Sequence, residues 1–172
     1  MRREKRLEVM QIASVVLLIV LDQLTKLWAV KSLLPIKRFP IIDGVFSLNF
    51  VENTGAAFSM LEGKTIFLTV IPLLACVAIV YVLATKKVKP KVGSWGLCLI
   101  LAGALGNIID RIFRGAVVDM LDFELINFPV FNVADIAVTI GAVLFFIYIL
   151  FLYDDKAEKK DGKNLPDGGE ER

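Results

Sequence analysis

The sequence predicts an all-α membrane protein of four transmembrane helices with a small β-rich extracytoplasmic element, and three observations predict it. Of the 172 residues 56% are hydrophobic and the mean hydropathy is +0.68, more than a water-soluble domain of this size normally carries. Four apolar stretches, at 9–30, 65–84, 95–112 and 135–153, each approach the roughly 20 helical residues that cross a hydrocarbon core about 30 Å thick. Basic residues crowd three segments: Arg2, Arg3, Lys5 and Arg6 at the start, Lys86, Lys87, Lys89 and Lys91 between the second and third stretches, and Lys156, Lys159, Lys160, Lys163 and Arg172 in the tail. Four spans put these segments on one side, and the excess of Lys and Arg marks that side as cytoplasmic. Residues 1–153 therefore read as one membrane domain with both termini cytoplasmic. Residues 154–172, charged and carrying Pro166, Gly168 and Gly169, read as a disordered cytoplasmic tail.

The elements follow in chain order. The basic start and first apolar run resemble a cleavable signal peptide, but no small-residue cleavage site follows, and Asp22 and Lys26 interrupt the run, so it reads as a retained span. Residues 41–51 are rich in Val, Ile and Phe and end at Glu52, Asn53, Thr54 and Gly55, which predicts a strand and a turn. A second extended run, 116–126, separates spans three and four. Both runs fall on the outer side and can pair into a small sheet on the membrane surface. Span three carries Gly96, Gly103 and Gly106 with Ala102 and Ala104, small residues that let helices approach closely. At the fourth span Asn132 reads as an N-cap, with Asp135 at the third helical position.

Composition also excludes chemistry. There is no histidine, and Cys76 and Cys98 sit inside apolar spans, so His-based metal sites and Ser/His or Cys/His triads are ruled out and a structural disulfide is not expected. No metal or cofactor is called for. The net charge of +2 is too small to suggest nucleic acid. Acid and base work falls to carboxylates, lysines or tyrosines. A Ser59/Lys64 site is compatible with composition, though nothing fixes its geometry.

A charge in hydrocarbon costs about 2.5–3.5 kcal/mol on insertion scales and usually persists for function. Asp22 and Lys26, four apart, can neutralise each other on one helix face as a structural ion pair, and Asp110 beside Arg111 can be a salt-bridged brace. Yet under this topology Asp22, Lys26, Asn53, Asn107, Asp110, Arg111, Asn132 and Asp135 all fall toward the outer face, whereas unrelated structural accidents would scatter over both. A transporter would show internal repeats and polar residues near the midplane; a noncatalytic scaffold would account for the glycines but not for this convergence. Five acids compete for the chemistry: Asp110, Asp119, Asp122, Glu124 and Asp135. Physics alone does not select two of them. Two carboxylates meeting at low dielectric share a proton and can act as base and acid on water attacking a peptide carbonyl.

DQLTK at 22–26, ENTGAAF at 52–58, GNIIDR at 106–111, VVDM at 117–120 and FNVAD at 131–135 together resemble the ordered motif set of lipoprotein signal peptidase, the signal peptidase II family. The resemblance implies an intramembrane aspartic endopeptidase of the bacterial cell (inner) membrane. It implies Asp119 and Asp135 as catalytic aspartates and Asp110 as a supporting residue. Asn53, Gly55, Asn107, Arg111 and Asn132 match positions that shape or contact the substrate site, and Asp22 and Lys26 match the first-helix motif and are grouped with them. Met120 stands where Phe is expected in many relatives. The implied substrate is a prolipoprotein whose Cys bears a diacylglyceryl group, cut N-terminal to that Cys at the outer face by a monomer surrounded by membrane lipids, without a cofactor.

Overall fold

The computed structural model describes residues 2–55, 63–88, 91–126 and 128–153. The expected tail, Ser59, and Ala56, Ala57 and Phe58 of the second motif lie outside them. Four helices are long and apolar enough to cross a membrane: α1 (Arg2–Ser32), α2 (Thr65–Ala84), α3 (Lys91–Arg114) and α4 (Val133–Ile147), the last continued by a π-helical turn, Tyr148–Leu152. α2 has the expected bounds, whereas α1 and α3 run further into their polar flanks. Hydropathy detects only the part that crosses hydrocarbon, and Lys, Arg and Glu are good helix formers beyond it.

α3 is the core helix. It packs against α1, α2 and α4, and 56% of its apolar window is buried, against 6%, 11% and 17% for the other three, whose large apolar side chains point outward as a lipid-facing surface requires. The crossing of α3 and α4 depends on glycine: a Cβ on Gly96 would lie 2.8 Å from the Gly141 carbonyl oxygen, and one on Gly141 would lie 2.6 Å from that of Gly96. Only a hydrogen fits between these backbones.

Three antiparallel strands, β1 (Arg38–Ile42), β2 (Phe46–Asn53) and β3 (Val117–Phe123), form a sheet in the order β1-β2-β3. The expected strand at 41–51 is therefore corrected. Asp43 and Gly44 interrupt it with a turn in which Gly44 has φ +70° and the Val45 amide donates to the Ile42 carbonyl at 3.0 Å. The missed strand, β1, contains Pro40, which is tolerated because β1 is an edge. Asn53, expected in the turn, is the last residue of β2, and the run at 116–126 closes in a 3₁₀ turn, Glu124–Ile126. Arg38 clamps the edge strand to that turn, its Nη2 and Nε donating to Glu124 Oε1 at 2.7 and 3.0 Å.

The sheet sits at one end of the bundle, where α1 and α3 end and α4 begins; Thr65 Oγ1 reaches the Gly115 carbonyl at 3.4 Å, which puts the start of α2 there too. At the opposite end Lys86 pairs with Glu8 at 2.7 Å, so the described basic segments share that end. In β3, Val117 through Met120 are all buried. Val118 and Met120 pack with Ala29, Leu33 and Phe50, while Val117 and Asp119 face a pocket on the other side. Met120 thus lies on the face of the strand away from Asp119.

Candidate active site

The site is built in three layers. The lowest is an ion cluster between α1 and α3. Lys26 Nζ lies 2.9 Å from Asp22 Oδ2 and 3.2 Å from Asp110 Oδ2, and it donates to Asn107 Oδ1 at 2.8 Å. Its three N–H donors meet three acceptors, which is how a lysine with 0% exposure is held in a membrane domain. The carboxylates also reach outward from the cluster. Asp22 Oδ1 accepts from the Ala134 amide at 2.9 Å, taking up one of the orphan N–H groups of the first turn of α4. Asp110 Oδ2 accepts from the Val118 amide at 3.1 Å, fixing the start of β3. Gln23 Nε2 ties Asp22 to the Gly106 carbonyl at 3.2 and 3.1 Å. Gly106 makes the room, since a Cβ there would meet Asp22 Oδ2 at 2.6 Å.

The middle layer consists of two asparagine amides. Because Lys26 can only donate, it sets the Asn107 oxygen toward itself and leaves the Asn107 NH₂ to donate to Asp135 Oδ1 at 2.8 Å. Asn132 caps α4 with extended backbone: its Oδ1 accepts from the Asp135 amide at 3.0 Å, and its own amide donates to Asp135 Oδ2 at 3.1 Å, a reciprocal capping box. With its oxygen committed to the cap, the Asn132 NH₂ points at Asp119 Oδ1, 2.6 Å away, and also reaches Asn107 Oδ1 at 3.1 Å.

The upper layer holds the two aspartates. Asp119 Oδ2 accepts from Asn53 Nδ2 at 3.0 Å across the β2–β3 pair. Asn53 Oδ1 accepts from the Gly55 amide at 2.9 Å, and Arg111 Nη2 donates to the Gly55 carbonyl at 3.1 Å, so the chain leaving β2 is fastened to α3. Burial above all, and then the nearby Asp135 charge, push the Asp119 carboxyl up to about 7 from 3.8, against the hydrogen bonds from Asn53 and Asn132 and the more distant Lys26 charge.

Above these groups opens a cavity of about 460 Å³. Its polar walls are Asn53, Asn107, Arg111, Asp119, Asp135 and Thr139; its apolar walls are Val117, Phe128–Phe131, Ile136, Val138 and Ile140. Among the described residues, Asp119 and Asp135 are the two carboxylates that line it. Asp122 instead accepts from Asn49 at 3.2 Å, Glu124 pairs with Arg38, and Asp110 is buried below. The geometry thus separates the five acids that the sequence left in competition. Asp22, Lys26 and Asn132 are buried beneath the pocket and do not line it. Grouping them with substrate contacts does not match their place; they support the groups that face the cavity. Asp110 pairs with Lys26 rather than Arg111, because successive residues on a helix point to different faces. Gln23, which binds Asp22, and Thr139, on the cavity wall, are not singled out by charge or motif, although each is a polar residue in an apolar span. Among the described residues no three carboxylate, thiol or imidazole side chains converge as metal ligands.

Fold and pocket define a multi-pass membrane protein with an aspartate-lined cavity at one end of its helical bundle. The chain belongs to the signal peptidase II family, whose model, described as signal peptidase (SPase) II, matches residues 14–151. It is 47% identical to the lipoprotein signal peptidase of Clostridioides difficile (strain 630) over 80% of this chain and 92% of that protein. It is 45% identical to that of Enterococcus faecalis (strain ATCC 700802 / V583) over 86% and 90%. A solved bacterial membrane enzyme superposes with a TM-score of 0.73 at 32% identity, covering 95% of this chain and 94% of the other; a second gives 0.74 at 33%, covering 83% and 93%. The protein is a bacterial membrane peptidase of the aspartic type that removes signal peptides from prolipoproteins.

Proposed function

We propose that Asp119 and Asp135 are the catalytic pair and that they cut a diacylglyceryl-modified prolipoprotein on the N-terminal side of its lipidated Cys. The observation that carries this is the pairing itself: two carboxylates on one cavity wall, both held by Asn132, one of them raised to about 7. The resting pair carries one negative charge. The proton is on Asp119, whose carboxyl burial and the nearby Asp135 charge push up.

The chemistry follows from that order. Asp135 takes a proton from water as the water oxygen bonds to the scissile carbonyl carbon, and Asp119 gives its proton to the carbonyl oxygen, forming a neutral gem-diol. On collapse a hydroxyl proton returns to Asp119, the C–N bond breaks, and Asp135 protonates the leaving amine. Both groups regain their starting states. Asn107, Asn132 and Asn53 hold the pair in place, Lys26, Asp22 and Asp110 hold the asparagines and the strand, and Arg111 with Gly55 shapes the rim. One chain supplies every group, consistent with a monomer. The cavity faces the outer leaflet, where the lipidated Cys of the substrate resides, with both termini cytoplasmic.

Purified protein incubated with a diacylglyceryl-modified precursor tests this reading. Wild type cleaves it, whereas Asp119→Asn and Asp135→Asn, inserted and folded, fall below detection; full activity in either variant refutes the assignment.

A further inference from the structure

The α4 helix carries one hydrogen-bonding side chain beyond Asp135, and it lies on the cavity wall. Thr139 is four residues on, hence on the same helix face and about 6 Å further from the end where the dyad sits. Three other span hydroxyls are satisfied by their own helix: Ser14 donates to the Met10 carbonyl at 2.8 Å, Thr25 to that of Asp22 at 2.8 Å and Thr69 to that of Thr65 at 2.7 Å. Thr139 makes no such bond among the described residues, although the Asp135 carbonyl stands one turn back. Around it the wall is apolar, formed by Ile136, Val138, Ile140, Val130 and Phe128. Thr139 is exposed on that wall, so its hydroxyl has a donor to give, and a carbonyl laid against these apolar side chains loses water and gains from such a donor.

We propose that the Thr139 hydroxyl donates a hydrogen bond to a carbonyl oxygen of the bound substrate, on the membrane side of the scissile bond. The inference rests on the dyad reading above and extends it to a substrate contact. Two parts of a lipid-modified precursor present carbonyls there: the peptide backbone N-terminal to the cut, and the ester groups of the diacylglyceryl. Thr139 therefore acts on binding and register, not on proton transfer.

The test compares wild type, Thr139→Val and Thr139→Ser on a diacylglyceryl precursor and on its ether-linked analogue, in lipid nanodiscs, with thermal stability measured alongside. Thr139→Val, nearly isosteric, raises KM about three- to tenfold, the worth of one neutral hydrogen bond, with little change in kcat, and Thr139→Ser restores it. If the ratio persists on the ether-linked substrate the acceptor is the peptide; if it disappears the acceptor is the ester. An unchanged KM in Thr139→Val, or no recovery in Thr139→Ser, overturns the proposal. Asp119→Asn runs beside them: its loss of cleavage with an unaltered Thr139→Val sinks the Thr139 contact alone, whereas an active Asp119→Asn sinks the dyad.

Discussion

Asn132 serves three elements at once. Its oxygen caps α4, its amide N–H returns to Asp135, and its NH₂ reaches Asp119 on β3. Asn53 is simpler, holding Asp119 from β2, and it allows a signed test. Its hydrogen bond lowers the Asp119 carboxyl, which stands at about 7 with that bond in place. With Asp119 as the proposed acid, activity falls as pH rises through about 7; removing the bond raises the carboxyl further, and Asn53→Ala moves that alkaline limb to higher pH in a kcat/KM profile. A downward shift contradicts the assignment of Asp119 as the acid. The same group sets a stability trend. Its folded value lies above its ordinary 3.8, so its contribution is fully present below 3.8 and is lost as pH rises to about 7. The thermal stability of wild type therefore falls across that window, while Asp119→Asn unfolds with a flatter pH dependence. Lys26 supplies a stronger effect. Lys26→Met leaves Asp22 and Asp110 buried and facing each other, at a cost of about 3–5 kcal/mol in unfolding free energy, and Lys26→Met with Asp110→Asn recovers part of it.

At the scale of elements, the joint between α3 and α4 decides whether the dyad forms. A Cβ on Gly103 would collide with the Ala134 carbonyl oxygen and lie 2.7 Å from Val138 Cγ2, so the space belongs to the α4 backbone immediately before Asp135. Gly103→Val pushes that turn outward and lengthens the Asn107–Asp135 contact. The expected result is a fall in kcat of about a hundredfold, the scale of a 1 Å misplacement, in protein that still inserts; wild-type kcat would show that the joint does not set the geometry. The β1–β2 hairpin has a different task. Ile36, Phe39, Ile41 and Ile42 are each more than half exposed. Edge-strand backbone groups cannot enter hydrocarbon unpaired, so the hairpin lies at headgroup depth with these side chains dipping inward. A tryptophan at Phe39, with Trp28 and Trp95 replaced by Phe, is then quenched by brominated lipid rather than by aqueous iodide.

For the whole molecule, the four spans gather the sheet, the cavity and the ends of α1 and α3 at one end, and the described basic segments at the other. The buried ions lie toward the cavity end of the bundle, where Asp22 meets the start of α4 and Asp110 the start of β3. The native thiols Cys76 and Cys98 are buried, so an introduced cysteine reports with little background. Lys37→Cys reacts with an impermeant maleimide applied to intact cells, and Lys87→Cys reacts only after permeabilisation. Equal labelling of both in intact cells overturns the orientation.

Hydropathy and charge in the sequence sufficed to determine the solvent, the number of spans and the grouping of the two described basic segments, because these depend on composition summed over about 20 residues and not on who touches whom. Local rules also reached the α4 cap, where Asn132 and Asp135 are three residues apart, and the Asp22–Lys26 pair, four apart on one helix face. The motif resemblance pointed to Asp119 and Asp135, but physical reading alone left five acids open. Tertiary structure decided which two share the cavity, that Lys26 answers to Asp110 and Asn107 as well as Asp22, and that residues 38–42 form the edge strand. Asp119 and Asn53 are 66 residues apart, and Lys26 and Asn107 are 81 apart. Their meeting is set by strand register and by how closely glycine lets two helices approach, quantities that belong to pairs of elements and are not written in either one.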